Sequence, residues 1–219
     1  MASQQPPSGR AGADPADGAL DTPLGRAAAL MVAWLALLWL LVGIDAILDH
    51  RLLSGFGIRP RTLGSLPDIL TAPFLHTGVE HVAANSTGLL GLGLLAALTG
   101  IRRFLAVTLV IVVISGLGAW LLGPTGTVGV GASGVVFGFL GYLLLRGFVD
   151  RRPVDVILAV GVALGWGYLL FSIAAGGPQV SWQAHLFGFL GGLLAAWLLR
   201  RRRRPARRPA TPGTPPLPA

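Results

Sequence analysis

A serine, two histidines and an asparagine stand out in a chain whose apolar stretches hold few polar side chains. Ser133 lies in "GVGASGVVFGFLG", residues 129–141, among glycines and with no charge nearby. His185 lies in "SWQAHLFGFLGGLLAAW", and His81 and Asn85 bracket "HVAAN". A serine hydroxyl in such a setting has two ordinary uses. It can bond to its own or a neighbouring helix backbone, or it can act as a nucleophile once a base within hydrogen-bond reach takes its proton. Histidine is the usual base. Attack on a peptide carbonyl also needs donors for the developing oxyanion. Backbone N–H groups at the start of the serine's helix, with His81 and Asn85, could supply them. His81 and Asn85 are four residues apart, so they share one helical face. His185, Gly188 and Gly192 follow an i, i+3, i+7 pattern, while Ser133 and Phe137 are one turn apart with Gly134, Gly138 and Gly141 close by. Two glycine-bearing faces let helix backbones approach closely, which would bring an imidazole to a hydroxyl on the next helix.

These residues have to be positioned by elements of a particular kind. The 219 residues are 53% hydrophobic and 12% charged, with 32 glycines. That is too little charge for an ordinary soluble surface, so a bilayer is the expected environment. A spanning helix needs about 20 apolar residues. Six segments meet or approach that length, at roughly 27–48, 81–100, 103–122, 133–149, 154–173 and 182–200. The first starts too far into the chain and runs too long for a cleaved leader, and is expected to remain. All 17 basic residues are arginine, and all but Arg51, Arg59 and Arg61 fall on one side if both termini are cytoplasmic. Spans two, four and six then begin at the outer face, which sets His81, Asn85, Ser133 and His185 at a common depth. The expected fold is an all-α, six-helix membrane bundle over residues 23–200, with a short interfacial helical hairpin between the first two spans. Residues 1–22 are expected to be a disordered tail, and residues 201–219 an Arg/Pro-rich tail anchoring the cytoplasmic side.

Other chemistries fit less well. There is no cysteine, so thiolate and disulfide chemistry are out. No Asp or Glu lies within the spans that carry Ser133, His81 or His185, which points to a dyad rather than a Ser-His-Asp triad. "HTGVEH" (His76 to His81) sets its histidines five apart with Gly78 between, unlike the one-turn spacing of zinc-protease helices. No span carries the two aspartates an intramembrane aspartyl protease needs. A transporter should spread polar residues along a pore or duplicate its spans, and neither pattern is present. His76 reads as a structural hydrogen-bonding residue.

"GASG", "HVAAN" and "AHLFGFLGG", in this order and each at the outer end of its span, resemble the rhomboid family of intramembrane serine proteases. The resemblance covers about residues 27–200. It implies a Ser133–His185 dyad and an oxyanion hole of His81, Asn85 and the Ser133 backbone N–H. It also implies an aromatic, Phe137, packed on the catalytic histidine, a cap over the site at 174–181, and a lateral gate in the fifth span. Close helix packing is expected at Gly131, Gly134, Gly138, Gly188 and Gly192. No cofactor or metal is expected. The implied partners are the lipid bilayer and single-span membrane proteins, with helix-breaking residues near the cut and a small residue before it. No nucleic acid is expected, and oligomeric state is left open. The expected location is a bacterial plasma membrane. A non-catalytic relative that binds membrane proteins for quality control is the alternative, although such relatives typically lose the serine or the histidine and this chain keeps both. One departure is visible: the Trp-Arg pair common in the family's first outer loop is replaced by Pro67 and Asp68.

Overall fold

The computed structural model describes residue 20, residues 22–175 and residues 181–200. The expected tails therefore lie almost wholly outside the described residues, as does most of the expected cap. The described chain is helical. Its one piece of extended pairing is an antiparallel bridge between Ile58 and Gly129.

Helix α1 (Pro23–Ile47) starts at a cap: the Thr22 hydroxyl accepts from the Gly25 N–H at 2.9 Å, with Pro23 at the first helical position. Proline loses nothing there, since that N–H has no intrahelical acceptor. A six-residue helix, α2 (Arg51–Phe56), follows. Its first amides are bound by the buried Asp45 carboxylate, which accepts from the N–H groups of Leu52 (2.8 Å) and Leu53 (3.2 Å). The rest of the loop holds single 3₁₀ turns at Leu63–Ser65, Pro67–Ile69 and Ala72–Phe74. Pro60, Pro67 and Pro73 interrupt any longer helix, so one short helix and three turns stand where a hairpin of amphipathic helices was expected. The loop is clamped to the following bundle. The Arg61 backbone N–H donates to the Trp120 carbonyl and its guanidinium to that of Leu121, both at 2.9 Å. Trp120 Nε1 returns a bond to the Thr62 carbonyl. Pro67 and Asp68 take no part in this clamp, and Arg61 supplies the arginine that holds the loop.

Next come α3 (Val79–Gly88), a π-helical turn at Leu89–Gly93, and α4 (Leu94–Ala97). Helix α5 (Ile101–Leu122), α6 (Ser133–Asp150), α7 (Pro153–Trp166), α8 (Leu169–Ala175) and α9 (Trp182–Leu198) complete the described fold. Among the described residues α1, α5 and α6 are each long and apolar enough to cross a membrane. The other three expected spans are apolar but shorter or interrupted. One is broken by the π turn, where the Trp166 indole sits over Gly91. Another divides near Gly167 into α7 and α8, and α9 runs for only 17 residues from Trp182.

Helix α6 is the centre. Every residue from Gly134 to Leu143 is buried, so no face of that stretch meets the surroundings. Its partner α9 lies at backbone distance: a Cβ on Gly188 would run into the Gly134 carbonyl oxygen, and one on Gly192 into that of Gly138. At the opposite end from Ser133 an ionic cluster ties three helices. Arg146 meets Asp155 of α7 at 2.6 Å and Asp150 at 3.5 Å, and Arg103 of α5 meets Asp150 at 3.3 Å. All four side chains are at most 15% exposed, so each charge relies on its partners.

Candidate active site

The nucleophile candidate sits where a loop turns into the central helix. After pairing with Ile58 at Gly129, the chain reaches Gly131 with φ +118, in the region that favours glycine. A Cβ there would also press on Cε1 and Nε2 of the His81 ring, at 2.7 Å from each. Gly131 thus spaces the loop from His81, whereas the other four glycines expected at helix contacts lie within α6 and α9. The Gly131 N–H donates to the Ala72 carbonyl at 2.9 Å, and the Ala132 N–H to His76 Nε2 at 3.3 Å. Ser133 opens α6 at the end of this turn. The amides of Val135 and Val136 return to the Ala132 carbonyl. Helix geometry leaves the Ser133 and Gly134 amides without intrahelical acceptors, at the positive end of the helix.

His76, read from the sequence as a hydrogen-bonding loop residue, accepts from the Ala132 N–H and so must carry its proton on Nδ1. It is 2% exposed. Burial, and secondarily the neighbouring His81, push its pKa down from 6.5 to about 4. The unfolded chain therefore takes up this proton first. Stability from His76 is complete above pH 6.5 and is lost as pH falls from there toward 4. Thermal unfolding at pH 7 and pH 5 should show a larger drop for the wild type than for His76→Gln, whose amide oxygen can still accept from Ala132. Equal drops would remove His76 as a source of acid sensitivity.

His81 and Asn85 occupy successive turns of α3 facing the Gly131 turn. His81 Nδ1 lies 3.2 Å from the Thr77 hydroxyl, and its ring packs edge-on against His76 with centroids 5.0 Å apart. Asn85 is 6% exposed, and its Nδ2, a donor, is buried without a partner among the described residues. It lies 3.6 Å from where a Gly131 Cβ would be.

His185 stands on the first turn of α9, capped by Ser181, whose hydroxyl accepts from the Ala184 N–H at 3.3 Å. Its ring stacks on Phe137 of α6 with centroids 4.1 Å apart and planes 16° from parallel. Its Nδ1 is buried with no hydrogen-bond partner among the described residues. No hydrogen bond joins it to the Ser133 hydroxyl among those residues. Apo sites often hold such pairs at longer range until substrate closes them. Ser133, Phe137, His185, His81, Asn85 and Gly131 all line one open cavity of about 1170 Å³. Its wall runs on past Trp166 and Tyr168 to Ser172. Ser115 and Gln183, neither singled out from the sequence, also line it. A hydroxyl within the apolar run of α5 was the available signal for Ser115, whose 6% exposure only the structure shows. Among the described residues no group of three His, Cys, Asp or Glu side chains is placed to hold a metal ion.

The fold and this cavity define a helical integral membrane protein with Ser133, His81, Asn85 and His185 gathered on one cavity. Residues 64–202 match the family model of the Rhomboid domain. The uncharacterized protein Rv1337 of Mycobacterium tuberculosis is 38% identical over 187 residues, which cover 81% of this chain and 77% of that one. Rhomboid protease GluP of Bacillus subtilis is 29% identical over 154 residues, 66% of this chain and 29% of GluP. RHOMBOID-like protein 4 of Arabidopsis thaliana is 32% identical over 143 residues, 60% of this chain and 33% of that protein. The chain belongs to the rhomboid family.

Proposed function

We propose that this protein is an intramembrane serine endopeptidase working through a Ser133–His185 dyad on single-span membrane proteins near the outer boundary of the bilayer. One observation carries the reading: His81, Asn85, Ser133, Phe137 and His185, scattered over a hundred residues of chain, line one cavity. In this mechanism the substrate segment enters as extended chain. The Ser133 hydroxyl attacks its carbonyl as His185 takes the proton, forming a C–O bond and an oxyanion. The oxyanion is met by the Ser133 amide, His81 and the Asn85 Nδ2, which is unpartnered among the described residues. His185 passes the proton to the departing amine as the C–N bond breaks, and water then hydrolyses the ester by the same route in reverse. Residues 23–200 form the catalytic unit, crossing the bilayer six times with both termini cytoplasmic. In that arrangement the interrupted helices α3–α4 and α7–α8, together with α9, complete the crossings begun by α1, α5 and α6.

The test is labelling of the purified protein by a fluorophosphonate or isocoumarin probe, with the adduct mapped by mass spectrometry. Labelling at Ser133 supports the reading. A folded protein that takes no label would favour the non-catalytic membrane-protein binder. Asn85→Ala is expected to slow cleavage by about tens to hundreds of fold, as loss of one oxyanion donor does. Full activity of that variant would remove Asn85 from the oxyanion hole.

A further inference from the structure

His185 lacks the usual means of being held in place. In a triad, a carboxylate bonded to Nδ1 fixes the ring. Here that nitrogen has no partner among the described residues, and the Phe137 stack limits ring tilt without setting height along the helix. The position of the imidazole then depends on where the α9 backbone sits. Two polar contacts between α5 and the start of α9 bear on that, at the two residues just before His185.

The first is from Ser115. Its hydroxyl donates to the carbonyl of Ala184, the residue before His185, at 2.9 Å. Gly134, the residue after Ser133, packs directly onto this bond. A Cβ on Gly134 would overlap Ser115 Oγ and lie 3.1 Å from the Ala184 oxygen. One hydrogen bond therefore touches the neighbours of both the proposed nucleophile and the proposed base. The second is from Gln183, whose side-chain N–H donates to the Leu122 carbonyl at the end of α5, 3.1 Å away. Its Oε1 accepts from the Ser181 hydroxyl at 3.3 Å. Ser115 and Leu122 are seven residues apart, about two turns, so they present one face of α5 to α9. Between them Gly118 makes room for the Phe187 side chain.

We propose that Ser115, assisted by Gln183, is a positioning residue that sets the register of α9 on α5 and α6 and so places His185 against Ser133. This inference rests on the protease reading. The Ala184 carbonyl is also the intrahelical acceptor for an amide one turn on, so removing the Ser115 hydroxyl strands no buried acceptor. Ser115→Ala should therefore keep its thermal midpoint while misplacing the base.

The experiment measures cleavage of a transmembrane substrate and the rate of fluorophosphonate labelling at Ser133 in the wild type, Ser115→Ala, Ser115→Thr and His185→Ala. Ser115→Ala is expected to lose about ten- to a hundredfold in kcat with KM little changed, the cost of a small misplacement of a reacting group. Ser115→Thr, which keeps the hydroxyl, should recover part of the loss. His185→Ala sets the floor of both readouts, against which the partial loss in Ser115→Ala is measured. Unchanged kcat in Ser115→Ala, or a loss carried by KM alone, would overturn the positioning role and leave the dyad standing. A loss that tracks a fallen thermal midpoint would overturn it in favour of a stabilising contact. A wild type that neither cleaves nor labels would overturn the protease reading and this inference together.

Discussion

Ser133→Ala is expected to give a folded protein, unfolding near the wild-type temperature, that no longer cleaves a transmembrane substrate or takes up a serine-directed probe. The stability half of this follows from geometry. The Ser133 hydroxyl makes no hydrogen bond among the described residues and sits half-buried at the first position of α6, so alanine strands no partner. The activity half follows from chemistry. Without the hydroxyl no acyl-enzyme forms, and losses on the order of 10⁴ to 10⁶ in rate are typical when a nucleophile is removed. His185→Ala should fall as far, and the double variant no further, since nucleophile and base act as one unit. His185→Ala also loses the Phe137 stack, worth about 1 kcal/mol, and should unfold slightly earlier. Cleavage by Ser133→Ala at more than a trace would transfer the nucleophile to another residue. Unfolding of Ser133→Ala would make the serine a structural one.

The second large effect is expected from a single methyl group. Gly188→Ala places its Cβ against the Gly134 carbonyl oxygen, a backbone atom of the central helix that no side-chain rotation can move. Relief requires α9 to lift away from α6. The matching contact of Gly192 with the Gly138 carbonyl opens with it, and His185, one turn from Gly188, is carried off Phe137. Overpacking of a close-fitted interface costs about 1–3 kcal/mol and sometimes more, so a lowered unfolding temperature and loss of Ser133 labelling should appear together. Gly161→Ala on α7 is the control. Among the described residues no neighbouring element lies within 4 Å of the added atom, and helix propensity favours alanine by about 1 kcal/mol. Thermal unfolding in detergent, read alongside probe labelling, checks both. If Gly188→Ala were the more stable of the two, the α6–α9 contact would be looser than described.

The residues that line the cavity were legible because helical spacing and span direction are properties of one segment at a time. A spacing of four from His81 to Asn85, or from Ser133 to Phe137, gives a shared face wherever the helix ends up. Alternating direction then gives a shared depth. Features that need two segments to be docked were not legible. The Ser115 hydroxyl points at Ala184 only because α5 and α9 pack at one register, and nothing in "VVISGLGAW" encodes that partner. The same holds for Arg146 with Asp155 and for Arg61 with Leu121, where charge was visible and pairing was not. Segment continuity also escaped. Averaged hydropathy cannot register that 89–93 winds into a π turn around Trp166, or that the 154–173 stretch divides near Gly167, since both breaks occur in uniformly apolar sequence.

The burial of α6 from Gly134 to Leu143 bears on how the surroundings act on the proposed reaction. Bilayers are fluid and vary in thickness and composition, whereas the helix bearing Ser133 has no lipid neighbour along that length. It is held as a solid rod inside a sleeve of other helices. A change of lipid can reach the Gly134–Leu143 rod behind Ser133 only after bending a member of that sleeve, so on the protease reading the support of the nucleophile is insulated from the medium. The outer members, α7 above all with its exposed Ile157, Val160 and Leu164, are the ones that feel it.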